Sequence, residues 1–118
     1  MQDGDFSWLE LPGGDDCRAT GRFYAAVFGW GVEDDGETVW FREPSGRLGG
    51  AFRGDLGPAT GGPMLYLAVA DAAEALGRVR EAGGSVLADR TLVAPGVGFM
   101  ATFRDPAGTT IGLFEREG

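Results

Sequence analysis

VGFMATFRDPAGTTIGLFE, residues Val97 to Glu115, is the stretch whose reading decides the fold. From Gly98 to Arg104, Phe99, Ala101 and Phe103 recur at period two, and Thr110 to Glu115 is a β-branched and aromatic run, so both halves predict strands. Between them, Asp105-Pro106-Ala107-Gly108 puts a residue of fixed φ beside one that accepts a positive φ. A turn follows, and the two strands predict a hairpin.

Working backwards, Val86 to Thr91 predicts a further strand. Before it, Asp71 with Glu74 three residues on opens a helix over Ala72 to Ala82 that Gly83-Gly84 closes, and Met64 to Val69 supplies a strand ahead of the helix. The order of this half is strand, helix, three strands. The other half repeats it at a spacing of roughly 55 residues. Asp5 to Leu11 is its first strand. Asp15 and Asp16 cap a helix from Cys17 to Phe28, striped by Phe23 with Val27 and Tyr24 with Phe28, weakened by Gly21 and stopped by Gly29. Trp30 to Val32, Thr38 to Arg42 and Arg47 to Arg53 complete module one, about residues 5–53; a Gly- and Pro-rich connector, 54–63, reads as a hinge before module two, about 64–116.

Composition excludes several classes. The chain has 118 residues, enough for one domain with an ordinary core. No apolar run approaches the roughly 20 residues that span a bilayer, and the acidic start MQDGDF lacks a signal-peptide hydrophobic region, so a cytoplasmic protein is expected with no membrane partner. The one cysteine permits no intramolecular disulfide. A net charge of −8 without basic clusters argues against nucleic acid and biases any ligand towards cations.

FYAAVFGW at Phe23 to Trp30, the AVAD-helix-AGG segment at Ala68 to Gly84, and PGVGFMATFRDPAGTTIGLFE at Pro95 to Glu115 together resemble the vicinal oxygen chelate superfamily, which includes glyoxalase, extradiol dioxygenases and bleomycin resistance proteins. The resemblance covers nearly the whole chain. It implies an α+β fold of two paired βαβββ modules, forming a curved, mainly antiparallel eight-stranded cup with two main helices on the convex side and the ligand site on the concave side. It also implies a homodimer. Metal-binding members take His or Glu from the first and last strands of each module. Carried over, those positions fall at Trp8, at Gly49 or Gly50, at Met64 and at Gly112, and none is a ligand. The chain has no His, which leaves only an all-carboxylate site with Glu10 as its sole concave candidate. No metal and no cofactor are expected, and fold alone assigns no chemistry.

Strand parity fills the concave face with other side chains. Trp8, Phe6 and Glu10 share one face of the first strand; Met64 and Tyr66, then Thr110, Gly112 and Phe114, share the corresponding face in module two, and Trp40 joins from the third strand. The expected ligand-binding set is Trp8, Glu10, Trp40, Met64, Tyr66, Gly112 and Phe114. The competing reading is that Phe6, Phe114 and Trp40 fill a core. Glu10 among aromatics either has a raised pKa and serves as acid or base, or is a surface residue or pairs with an Arg such as Arg42 or Arg104. Cys17 sits at a helix N-terminus but has no His partner, so a catalytic thiolate is not expected. Asp105 is expected to cap its own turn. Glu33, Asp34, Asp35 and Glu37 read as a solvated loop able to attract a cation. These readings predict a metal-free protein that binds a small organic ligand, cationic or aromatic, and sequesters an antibiotic or metabolite. A metal-independent isomerase or lyase using Glu10 or Tyr66 is the alternative, and a pure interaction domain the third.

Overall fold

Asp16 begins the first helix by accepting a hydrogen bond from Ala19 N at 3.1 Å, and α1 runs Cys17–Phe28 until Gly29 turns left-handed at φ 72°. The computed structural model describes residues 2–117. Around α1 the chain forms β1 (Leu9–Pro12), β2 (Gly31–Asp34), β3 (Val39–Arg42) and β4 (Gly49–Arg53), hydrogen-bonded in the order β1-β4-β3-β2. The second half repeats the plan with β5 (Tyr66–Ala68), α2 (Ala72–Glu81), β6 (Ser85–Ala94), β7 (Gly98–Arg104) and β8 (Thr110–Arg116), in the order β5-β8-β7-β6. In each sheet the first and last strands of the module pair in parallel and the rest are antiparallel. The fold is α+β with two βαβββ modules, as expected, and its eight strands divide into two sheets of four. The chain separates into two compact units, the first ending at Gly57.

The first unit is built on aromatic stacking. Tyr24 of α1 is fully buried and stacks on Trp30 at 4.5 Å between centroids, and Trp30 stacks on Phe41 at 4.8 Å. Such offset pairs add to the burial they accompany. In the second unit Ala72, Ala75, Leu76 and Val79 of α2 pack the face of Ala101, Phe103, Ile111 and Leu113, all buried. The turn between β7 and β8 forms as expected: Asp105 is buried, and its Oδ1 accepts from Ala107 N at 2.9 Å and Thr109 N at 3.0 Å. Ala59, within the expected hinge, is bound into this unit twice, since its N donates to Thr109 Oγ1 and its O accepts from Thr110 N.

Several element ends differ from expectation for one reason, the length of the partner strand. β1 starts at Leu9 rather than Asp5, because its ladder with β4 begins at the Leu9 and Gly50 pair. Phe6, one of the residues read as core, is 91% exposed. β6 is longer than expected, since β7 offers it partners as far as Ala94 through three register shifts.

Two glycines inside helices have opposite roles. A Cβ on Gly21 would lie 2.9 Å from Val32 Cγ1 and 3.2 Å from Val39 Cγ1, so α1 needs glycine there to seat on the sheet; nothing lies within 4 Å of a Cβ on Gly77. Helix propensity favours alanine at both by up to about 1 kcal/mol. Gly77→Ala should therefore stabilise by about 0.5–1 kcal/mol, whereas Gly21→Ala should destabilise by roughly 1–2 kcal/mol as overpacking exceeds the propensity gain. Paired urea melts check this, and equal signs would show that α1 has room at Gly21.

Candidate functional site

The open face of the first sheet carries the side chains that strand alternation turns away from α1. In β3, Val39 and Phe41 are buried while Trp40 and Arg42 are exposed. Trp8, just ahead of β1, meets Trp40 edge to face with centroids 5.8 Å apart. They are 46% and 39% exposed, against 7% for Trp30 in the core. Beneath them Ala51, in register with both Trp40 and Glu10, is 4% exposed, so these larger side chains close over it. A hollow of about 550 Å³ borders this pair, lined also by Gly31, Glu33, Arg42 and Gly50. Trp40 is fixed by its indole N–H, which donates to Asp35 Oδ2 at 2.9 Å. The aromatic surface is thus prepared before any ligand arrives.

Glu10 does not behave as a buried acid. It is exposed; Arg53 Nη1 donates to its Oε1 at 2.9 Å and the Trp8 indole N–H to its Oε2 at 3.4 Å. The Arg53 hydrogen bond first, then that of Trp8, hold its carboxyl below the ordinary carboxylate value. Of the two readings of Glu10, the raised pKa is corrected, because the favourable contacts of the charged form exceed desolvation, and the exposed, arginine-paired carboxylate is found. The expected partners Arg42 and Arg104 are corrected as well. Register explains this: Pro12 pairs with Arg53 and Glu10 with Ala51, so Arg53 stands two residues along the parallel ladder from Glu10. Asp55 grips the same guanidinium at 2.5 Å, and the two carboxylates raise the Arg53 pKa further above its usual range.

In the second unit Tyr66, 48% exposed, lies over Gly112, its register partner in β8; a Cβ on Gly112 would overlap the ring, 3.0 Å from Tyr66 Cγ. Phe114 is half-buried and pairs with Ala68 and Met100. Met64 precedes β5 and is 39% exposed. The expected set thus forms two groups, Trp8, Glu10 and Trp40 in one unit and Met64, Tyr66, Gly112 and Phe114 in the other. Sequence reasoning did not place Arg53 at the site, and it named Arg42 only as a partner for Glu10. Arg42 was findable, since it shares the parity of Trp40; Arg53 was not, since its role depends on a register between strands about 40 residues apart in number.

The donor set does not fit a metal. In the first unit the carried-over positions hold an indole and a glycine, in the second a thioether and a glycine covered by a phenol ring. Among the described residues no three metal-capable side chains converge. These side chains support no metal-dependent step.

On the other side of the second sheet, Glu115 links three elements that sequence parity did not connect. Arg90 donates to both its oxygens at 3.0 and 2.8 Å and lies over the Phe99 ring at 3.4 Å, while Glu115 Oε1 also accepts from Ala72 N at the start of α2. Arg90 first, then the Ala72 N–H, lower the Glu115 pKa from 4.5 to about 2. A lowered folded pKa means a contribution present above about 4.5 and lost as pH falls towards about 2. In acid titrations of stability, the gap between the native protein and Glu115→Gln should be constant near neutrality and narrow across that window. A gap unchanged down to the acid end would show that Glu115 is not held as a carboxylate.

The family model for a glyoxalase-like domain matches residues 14–114. No curated protein matches the sequence. Among solved structures, TnmS3, an antibiotic binding protein from Streptomyces sp. CB03234, is similar with a TM-score of 0.75 at 20% identity, covering 99% of each chain. A glyoxalase-related enzyme from Fulvimarina pelagi has a TM-score of 0.74 at 21% identity, covering 96% of this chain and 88% of its own. The fosfomycin resistance protein FosX from Listeria monocytogenes has a TM-score of 0.72 at 13% identity, covering 99% and 95%. These likenesses bear on the fold.

Proposed function

The chain belongs to the glyoxalase-like domain family, and from that premise we propose that it is a metal-free binding protein that sequesters a small aromatic molecule, an antibiotic or a metabolite. The exposed Trp8 and Trp40 pair beside a hollow of about 550 Å³ carries the reading. Two indoles left half in water, one pinned by Asp35, form a rigid stacking surface that loses little entropy when a flat ligand covers it. Tyr66 and Phe114 provide a second aromatic surface in their own unit. Support also comes from a structural relative that is itself an antibiotic binding protein. Against the alternative of an isomerase or lyase using Glu10 stands its engagement, since Arg53 and the Trp8 N–H both donate to this exposed carboxylate and favour its charged form.

The chain's acid excess, with 18 acidic against 10 basic residues, draws cationic ring systems at long range. The reading includes a homodimer in the cytoplasm; none of the helices among the described residues is long and apolar enough to cross a membrane. A thermal-shift screen of aromatic antibiotics and metabolites tests the function, because a ligand of the folded state alone raises the melting temperature. Hits should be recovered chemically unchanged and persist with a chelator present. A panel without hits, or hits abolished by chelation, would sink the reading.

A further inference from the structure

Arg42 lines the tryptophan hollow, and among the described residues no carboxylate pairs with it. Of the ten arginines, Arg18, Arg53, Arg78, Arg80 and Arg90 are ion-paired. Arg42 makes no ion pair among the described residues although the chain has 18 acidic side chains, and of the five arginines without one it alone lines the hollow. Its guanidinium is nonetheless placed. Nη1 donates to Gly46 O at 2.9 Å in the turn between β3 and β4, and a Cβ on Gly49 would lie 3.2 Å from Arg42 Cζ and Nη2. The missing side chain at Gly49 thus leaves the guanidinium a seat on the open face, next to Trp40 on the same strand.

We propose that Arg42 is the anion-recognition residue of this hollow, so that its ligand is an aromatic acid bound with its carboxylate, or another acidic oxygen, on Arg42 and its rings on Trp8 and Trp40. This rests on the reading of the hollow as the ligand site and names its chemical class. Carboxylates stand near the indoles too, but two of them are engaged: Asp35 accepts from the Trp40 N–H, and Glu10 accepts from the Trp8 N–H and pairs with Arg53. At physiological salt, charges farther than roughly 8 Å are largely screened, whereas a guanidinium in contact acts at full strength and can offer two parallel donors to one carboxylate. Glu33, the acid that also lines the hollow, sits on β2 at the sheet's edge, opposite Trp40, while the Arg42 guanidinium reaches inward over β4. A ligand on the indoles whose acidic group extends along β3 towards Gly49 and Gly46 meets this guanidinium, the cation among the hollow's lining residues.

The test uses 2-naphthoate, 2-naphthamide and 2-naphthylmethylammonium, with the matching anthracene series, titrated calorimetrically against the whole chain. The acid should bind about tenfold more tightly than the amide, and the ammonium more weakly still. Arg42→Gln should erase the difference between acid and amide, and Arg42→Lys should restore part of it. Arg47→Gln, which removes the same charge outside the hollow, should leave it intact. Trp40→Ala should weaken acid and amide together. If both bind, and Trp40→Ala weakens both, but the acid has no advantage or keeps it in Arg42→Gln, the role of Arg42 is overturned and the hollow stands. Tighter binding of the ammonium also overturns it. Binding that ignores both Trp40→Ala and Arg42→Gln, or no binding by any of the probes, overturns the hollow and the role of Arg42 together.

Discussion

Trp40→Ala is expected to weaken a ligand found in the thermal-shift screen by about 10- to 100-fold, the usual range for a central aromatic anchor. Trp8→Ala should have an effect of the same order, and the double variant should bring binding below detection. The size follows from geometry. The two rings contact each other at 5.8 Å, so removing either also removes the support that holds the other upright. Trp8→Ala further deletes the indole N–H donated to Glu10, whereas Trp40→Ala releases Asp35. Neither residue belongs to the stacked core of Tyr24, Trp30, Phe41 and Phe52, so the melting temperature without ligand should change little. Calorimetry on the three variants checks the binding, and tryptophan fluorescence provides a second reading: quenching by ligand should fall stepwise as Trp8 and Trp40 are removed while buried Trp30 remains. Unchanged affinity in the double variant would move the ligand off this face.

The repeat of strand, helix and three strands was legible because it depends on local signals. Asp16 and Asp71 cap their helices, Gly29 ends the first one and Asp105 closes the last hairpin, each within a few residues of the group it satisfies. Parity also placed Trp8 with Trp40 and Tyr66 with Gly112. Partnership between strands was not legible. Sequence pattern points Glu10 to Arg42 or Arg104, yet it meets Arg53, since a parallel ladder decides which long side chain reaches which. Glu115 likewise reads in sequence only as the end of a strand. Its link to Arg90 and to the first turn of α2 needs β6, β8 and the helix to be in place together. Gly21 and Gly50 show the same limit from the other side, because a glycine required by a neighbouring strand looks in sequence like one that merely weakens an element.

Gly50→Ala should be among the most damaging single substitutions in the chain, costing about 4 kcal/mol or more. An added Cβ would fall on the Leu9 carbonyl oxygen, 2.7 Å from Leu9 C and 2.6 Å from Phe41 Cζ. The first obstacle is backbone, so no rotamer change relieves it; β1 must move away from β4. With it go the four-residue parallel ladder, the burial of Leu11 and the Glu10 contact to Arg53. Trp8, which immediately precedes β1, loses its position over Trp40 as well. The substitution should therefore abolish ligand binding even under conditions mild enough to keep the chain folded. Gly57→Ala is the matched control, since nothing lies within 4 Å of its Cβ, and it should stay within about 0.5 kcal/mol of the native protein. Urea unfolding of the two variants, with binding measured in parallel, decides the matter. A Gly50→Ala protein as stable as its control would mean that β1 does not pair with β4 in this register. The hollow would then lose the strand that brings Trp8 to it.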